Sequence, residues 1–360
     1  MYHTLERGWF RESMSLFLVG VNHRSAPVEF RERFAIPSRD LPAALRTLRR
    51  LGLANAAVLS TCNRVEYYLS ASDPAGASAE LLEFLAHHSR LDPAEFRAHL
   101  YQAEGAGVAA HLFRVTAGLD SAILGESEIA AQVKETYRIA CEEGTADAAL
   151  HRLFQRALHA AKEIRSRTGI AQGQASVGAV VAALARRLFA ERLASCEVLL
   201  WGAGKAAEAT ARHLIKDGIR RLWIVNRTQF KAQDLASLCQ GGWLSWELAL
   251  QHLARVDIAI VCTQAPHYVI DQGDLDAVAS SRGDHPLCLI DLAVPRNVEP
   301  SLARRDGVVL YNIDDLQAAA QIHLAAREEA RARGETMIRQ QVDDFTRRHA
   351  AAPHEEVLTC

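Results

Sequence analysis

The chain has 360 residues, 49% hydrophobic and 23% charged, with a formal net charge of −2. That length exceeds what one hydrophobic core supports, so two or three domains are expected; the composition excludes extensive disorder, and the near-neutral charge gives no global signature of nucleic-acid binding. No run approaches the roughly 20 apolar residues that cross a bilayer, no secretory signal opens the chain, and the cysteines lack metal-ligand or disulfide spacing, so a cytoplasmic protein of reduced thiols with no metal site is expected.

Residues 1–13 mix charge and aromatics without periodicity and read as an N-terminal extension, with Met14 a second candidate start. The apolar run 16–21, closed by Asn22, predicts a buried strand; helix follows, and Ser38 opens a helical pattern that reaches Leu51. Arg24, Arg31, Arg33, Arg39, Arg46, Arg49 and Arg50 crowd this part and read as a solvated face. Runs 56–59 and 65–69 predict two more strands, joined by the turn Thr61-Cys62-Asn63-Arg64. Segment 72–78, with Pro74 and Gly76, reads as a loop and 79–89 as helix, and a strand near Leu100 completes a small α+β layer. Three helices follow at 108–119, 129–142 and 148–167, the last with Leu150, Leu153, Phe154, Ala157, Leu158, Ala161 and Ile164 in one stripe.

The polar, glycine-containing segment 168–173 marks a domain boundary. Beyond it, apolar runs at 198–201, 222–225, 258–262, 287–290 and 308–310 alternate with helical patterns such as 177–193, 206–216 and 229–238. Continuous apolar strands separated by helices predict a parallel sheet covered on both faces. After Tyr311 the chain is helical and charged through His349, with Ile338, Val342 and Phe345 on one face and Gly334 weakening the middle, before a frayed tail at 350–360.

The strand 198–201 runs into Gly202-Ala203-Gly204-Lys205-Ala206-Ala207 and then a helix, the context of a dinucleotide site. Gly202 permits the tight turn, Gly204 leaves room for a pyrophosphate, Ala207 lets the helix pack closely, and the helix N-terminus offers free N–H donors. At the end of the next strand, where NAD enzymes carry an acid, the chain has Asn226-Arg227-Thr228; a guanidinium and a hydroxyl suit a 2′-phosphate, which favours NADPH. Cys62 differs from the other cysteines in its polar neighbours and strand-end position, with Arg64 two residues on to stabilise a thiolate, whereas Cys262 and Cys288 lie in apolar runs and read as inert core thiols. A nucleophilic thiol beside a hydride donor suggests acyl transfer to sulfur, then reduction of the thioester to an aldehyde.

In order along the chain stand Val19-Gly20-Val21-Asn22-His23-Arg24-Ser25-Ala26-Pro27-Val28, the Ser60-Thr61-Cys62-Asn63-Arg64 turn, His111-Leu112-Phe113-Arg114-Val115, Gly118-Leu119-Asp120-Ser121 with Leu124-Gly125-Glu126, and Asp291-Leu292-Ala293-Val294-Pro295-Arg296. Through these motifs the chain from Phe17 to Leu316 resembles the glutamyl-tRNA reductases. The resemblance implies an α/β protein: a ferredoxin-like catalytic domain at 14–168 that binds glutamyl-tRNA(Glu), a doubly wound Rossmann-type NADPH domain at 169–314, and at 315–360 a truncated C-terminal dimerisation segment. A weakened dimer or a monomer is therefore expected in place of the family's homodimer. Cys62 is implied as the nucleophile that takes the glutamyl group, His111 as a second residue tied to activity, and Arg64 as a fork for the substrate's α-carboxylate. Thr61, Asn63, Ser121, Glu126, Ser127, Glu128 and Gln132 match positions around the glutamyl group. The implied product is glutamate-1-semialdehyde, the first step toward tetrapyrroles, handed on to glutamate-1-semialdehyde aminomutase. Two departures stand out: Glu126-Ser127-Glu128 replaces the family's common Glu-Pro-Gln, and Ala206 replaces a frequent methionine. Rival readings are an NADP reductase of the shikimate dehydrogenase type, which needs no cysteine, and a non-catalytic protein that binds tRNA or a partner.

Overall fold

The computed structural model describes residues 14–170, 176–320 and 328–351, so the extension, part of the predicted boundary and nearly all of the tail lie outside the described residues. Four strands, β1 (Ser15–Asn22), β2 (Ala56–Ser60), β3 (Arg64–Ala71) and β4 (Tyr101–Glu104), form an antiparallel sheet in the order β2-β3-β1-β4. Helix α1 (Val28–Arg31) and helix α2 (Leu41–Arg50) lie between β1 and β2, and α3 (Pro74–Ser89) and α4 (Pro93–Phe96) between β3 and β4. The result is the ferredoxin-like connectivity.

Both faces of this sheet are covered, which is why its strands read as apolar runs. Phe17, Val19, Val21, Val58 and Tyr67 pack with Leu45 and Leu48 of α2 and with Leu81 and Phe84 of α3. Leu16, Leu18, Ala57 and Leu59 pack on the other side against α5 (Ala106–Thr116), α6 (Glu128–Glu142) and α7 (Ala148–Thr168). The predicted loop 72–78 is largely helix instead. Asp73 caps the N-terminus of α3, accepting from the Gly76 N–H at 3.1 Å, and Pro74 at the first helical position needs no donor.

The second sheet is parallel and six-stranded: β5 (Glu197–Trp201), β6 (Arg221–Val225), β7 (Gly242–Trp243), β8 (Ile258–Val261), β9 (Leu287–Asp291) and β10 (Val308–Tyr311), in the order β10-β9-β8-β5-β6-β7. This is the doubly wound Rossmann order, and its direction reverses between β5 and β8, where such sheets open a ligand crevice. Val198, Leu200, Ile258 and Ile260 face α8 (Val177–Phe189) and α9 (Lys205–Lys216), while Leu199, Trp201, Ala259 and Val261 face α11 (Trp246–His252) and α12 (Gln272–Arg282). Helix α10 (Gln229–Leu238) follows β6. β7, α11 and α12 escaped the sequence reading because each is short or sparsely apolar; α12 buries Leu275 and Val278 alone.

Helix α13 (Ile313–Ala320) leads toward α14 (Glu328–Ala351), which returns to the first domain and lays Ala330, Ile338 and Phe345 against α5 and α7. α14 runs through Gly334 without a break. A Cβ there would stand 2.8 Å from Leu119 Cδ1, so the glycine lets the helix approach its neighbour closely. No described helix is long and apolar enough to cross a membrane.

Candidate active site

The turn between β2 and β3 is built by Thr61. Its Oγ1 accepts from the backbone N–H groups of Asn63 at 3.1 Å and Arg64 at 3.2 Å, and its own N–H donates to the Arg64 carbonyl at 2.8 Å. The buried Asn63 is anchored further by the His23 N–H, which donates to its carbonyl at 2.9 Å. Four residues so pinned leave Cys62 at the apex, half-buried and packed against the core of the nucleotide domain. Burial first, then the carboxylates of Glu126 and Glu128, push its thiol up to about 12, while Arg31 pulls it down.

Arg31 is the cation at the thiol, although the sequence reading placed it on a solvated face and gave the role to Arg64. Its side chain is 1% exposed, and its guanidinium donates to the Ala26 carbonyl at 2.9 Å and the Cys62 carbonyl at 3.3 Å. Arg64 instead turns inward, because residues two apart on a strand share a face and Glu66 occupies the next position of that face. It donates to Glu66 Oε1 at 2.7 Å, to the Asp120 carbonyl at 2.7 Å and to Asp120 Oδ2 at 3.0 Å. Arg24 meets the other oxygen of Asp120 at 2.6 Å. His111 Nε2 lies 2.8 Å from Glu66 Oε1, and Tyr101 donates to the same oxygen at 2.6 Å, so His111 belongs to this inner network.

Space for that network comes from Gly20, which stands opposite both Glu66 and Tyr101 in the sheet. A Cβ on it would lie 2.9 Å from Glu66 Cγ and from the Tyr101 ring. Burial works to raise the Glu66 carboxyl, but Arg64 and the contacts from His111 and Tyr101 outweigh it and hold it well below the usual carboxylate range. His23, beside the same cluster, is brought down to about 4 by burial and then by Arg64 and Arg24; its Nδ1 is buried without a partner.

The acidic side of the site comes from the segment before α6 and its first turn. Glu126 is half-buried and its carboxyl is raised by burial and by Glu128; the buried Ser121 hydroxyl points toward it without closing a hydrogen bond of normal geometry. Glu128, half-buried at the start of α6, is raised by burial against the pull of Lys205 from the nucleotide domain. Ser127 is exposed, and Gln132 lies half-buried further along α6.

Across the seam stands the glycine turn. Gly202 has φ +118, and a Cβ there would lie 2.3 Å from the Cys262 carbonyl oxygen, so no other residue fits. In front of Gly204 nothing lies within 4 Å of a Cβ, and it begins α9 without any side-chain cap, which leaves open space and free N–H donors. Ala203 packs partly against the domain core, Lys205 is exposed, Ala206 is half-buried and Ala207 is fully buried beneath the helix. These residues fit a dinucleotide's phosphates. At the end of β6, Asn226 donates to the Thr228 carbonyl at 3.0 Å, Thr228 precedes α10, and Arg227 is exposed with no ion pair among the described residues.

Cys262 is not a core thiol. It follows β8, half-buried on the seam, where it acts on Cys62 and is itself pushed up to about 12 by burial, Glu128 and Asp291; Cys288 is buried as expected. The motif that begins at Asp291 is a loop scaffold: its carboxylate accepts from the backbone of Ala293, Asn297 and Val298 at 3.0, 2.7 and 2.9 Å. Among the described residues no group of three or more His, Cys, Asp or Glu could hold a metal ion.

Both domains match families of known proteins. Residues 19–168 match the family described as glutamyl-tRNAGlu reductase, N-terminal domain, and residues 183–319 match shikimate / quinate 5-dehydrogenase. The glutamyl-tRNA reductase of Syntrophotalea carbinolica is 40% identical over 333 residues, 92% of this chain and 75% of that protein. That of Solibacter usitatus is 39% identical over 340 residues, 94% and 80% of the two chains. The solved glutamyl-tRNA reductase from Methanopyrus kandleri is 32% identical, with a TM-score of 0.50 over 93% of this chain and 80% of that one.

Proposed function

The chain belongs to the glutamyl-tRNA reductase family, and from that premise we propose that it reduces glutamyl-tRNA(Glu) to glutamate-1-semialdehyde through a thioester on Cys62. The observation that carries the reading is continuity between thiol and nucleotide turn: Cys62 packs on the nucleotide domain beside Cys262, whose carbonyl in turn closes against Gly202.

A thiol held near 12 is protonated and quiet at neutral pH. Burial is the first cause, and the two carboxylates that add to it, Glu126 and Glu128, are also the groups suited to the substrate's α-ammonium. A bound ammonium neutralises them, which lowers the thiol pKa when the ester arrives. The thiol proton passes to Glu126, sulfur bonds to the ester carbon, and as the C–O bond breaks Glu126 returns the proton to the departing oxygen, releasing the tRNA 3′-hydroxyl. The α-carboxyl is the ester itself, so the carboxylate left for Arg64 to hold is the γ-carboxylate and not an α-carboxylate; Asp120 must yield one of its contacts for it, and Thr61 and Asn63 keep the turn rigid. A reduced nicotinamide cofactor held at the Gly202–Ala207 turn would supply the hydride that converts the thioester to the aldehyde, and Arg31 stands beside the Cys62 turn where the sulfur would leave as thiolate. Arg227 and Thr228 favour NADPH through a 2′-phosphate.

The test is NADPH consumption with purified glutamyl-tRNA. Wild type is expected to turn over and to yield a trapped glutamyl-enzyme without cofactor, and Cys62→Ser to do neither. Retained reduction in Cys62→Ser rejects the thioester. Arg227→Ala is expected to raise the KM for NADPH and leave that for NADH unchanged; a parallel rise in both rejects the NADPH assignment.

A further inference from the structure

Helix α1 is four residues long, yet the nucleotide domain grips this short stretch twice. At its end Arg31 is buried, and both terminal nitrogens meet the carboxylate of Asp314 in α13, Nη1 at 3.2 Å and Nη2 at 2.8 Å. Asp314 also accepts from the Val28 N–H at 2.9 Å, at the start of the same helix. The guanidinium that Asp314 holds is the one that donates to the Cys62 carbonyl at 3.3 Å. One residue further on, Glu32 receives Arg296 of the nucleotide domain through Nε at 3.0 Å and Nη2 at 2.7 Å, a pair that does not touch the Cys62 turn.

Given the thioester reading, on which this inference rests, we infer that Asp314 is a positioning residue for the reductive half of the reaction: by clamping Arg31 it fixes the Cys62 turn against the nucleotide domain. Acyl transfer to sulfur uses the Cys62 turn with Glu126 and Glu128, all from the first domain, so it proceeds without the clamp. Hydride transfer from a reduced nicotinamide needs the thioester carbon in register with a crevice on the other body. There, a misplacement of about 1 Å costs on the order of a hundredfold. Removing the Asp314 charge also leaves Arg31 buried against a neutral amide, which favours separation of the two surfaces.

The experiment uses the full chain with glutamyl-tRNA and NADPH, and reads two rates in single turnover: glutamyl group trapped on the protein without NADPH, and NADPH oxidation. Asp314→Asn is expected to acylate at the wild-type rate and to accumulate glutamyl-enzyme, while NADPH oxidation falls roughly a hundredfold. Asp314→Glu, which keeps the charge, recovers part of the loss. Glu32→Gln, which loosens the same seam away from the turn, lowers oxidation less and leaves acylation intact. Equal loss of both rates, or loss of neither, overturns the inference. Should Asp314→Asn melt early, the ratio of the two rates in Asp314→Glu and Glu32→Gln decides instead. A wild type that traps no glutamyl group sinks the thioester reading and this inference together, whereas intact trapping with an unchanged ratio sinks the inference alone.

Discussion

Replacing Glu66 by glutamine tests whether the inner network is held by charge. The carboxylate has no exposed surface and accepts four donors: Arg64, Tyr101 and His111 on Oε1, and Tyr68 on Oε2. An amide of the same shape keeps its oxygen on the crowded side and turns its nitrogen toward Tyr68, whose hydroxyl can accept. The geometry survives, so the loss is mainly electrostatic. Removing one member of a buried pair costs about 3–5 kcal/mol, and because Asp120 remains to neutralise Arg64, the lower end applies. At roughly 2–4 °C per kcal/mol for a domain of this size, Glu66→Gln should lower the melting temperature by about 6–12 °C at pH 7.

The pH dependence has a definite sign. Burial pushes the Glu66 carboxyl up, but Arg64, His111 and Tyr101 hold its folded pKa well below the unfolded value of about 4.3. Below that value the unfolded chain binds the proton first, so the stabilisation is complete above about 4.3 and drains away as pH falls toward the folded pKa. The gap between wild type and Glu66→Gln should stay constant from pH 8 to pH 5 and narrow in more acid solution. Far-UV circular dichroism melts across that range measure it. A gap below about 2 °C at pH 7, or one that widens on acidification, refutes the reasoning.

Alkylation of Cys62 by iodoacetamide should rise with pH through 10 without a plateau, since the thiol lies near 12. Glu128→Gln, which removes one of two like charges, should speed the reaction at pH 8; a slower variant would contradict the assigned electrostatics. Gly202→Ala forces a side chain at φ +118 into the Cys262 carbonyl, so it should abolish measurable NADPH binding by calorimetry and cost roughly 1–3 kcal/mol of stability; unchanged affinity would remove the glycine turn from the site. Gly20→Ala drives a methyl group against Glu66 and Tyr101 and should cost about 1–3 kcal/mol, read by urea unfolding, with no effect expected if the network is loosely packed.

The strands other than the two-residue β7 were legible because both sheets are covered on both faces, which leaves apolar runs, and the glycine turn because its backbone admits so few residues. Helices α11 and α12 were not: α11 buries Ala249 alone, too little to set a period. The inner network did leave a trace, since a glutamate within the apolar run 65–69 has to be paired, and strand period two puts Arg64, Glu66 and Tyr68 on one face. The strand's own geometry commits Arg64 to Glu66 and makes it unavailable to the thiol.

The cation that does reach the Cys62 turn has no comparable trace. Arg31 is one of seven arginines between residues 24 and 50, and its counter-ion is 283 residues away in the other domain. A buried charge can be read from sequence when its partner is local, as Glu66 is to Arg64, because the strand's own geometry supplies the pairing. When the partner arrives only through the docking of a second fold, the same arginine looks like any solvated one. It follows that residues coupling the two bodies are the least visible in the sequence, and that Arg31, Asp314, Glu32 and Arg296 had to be found in the seam, where geometry pairs charges that the chain order separates.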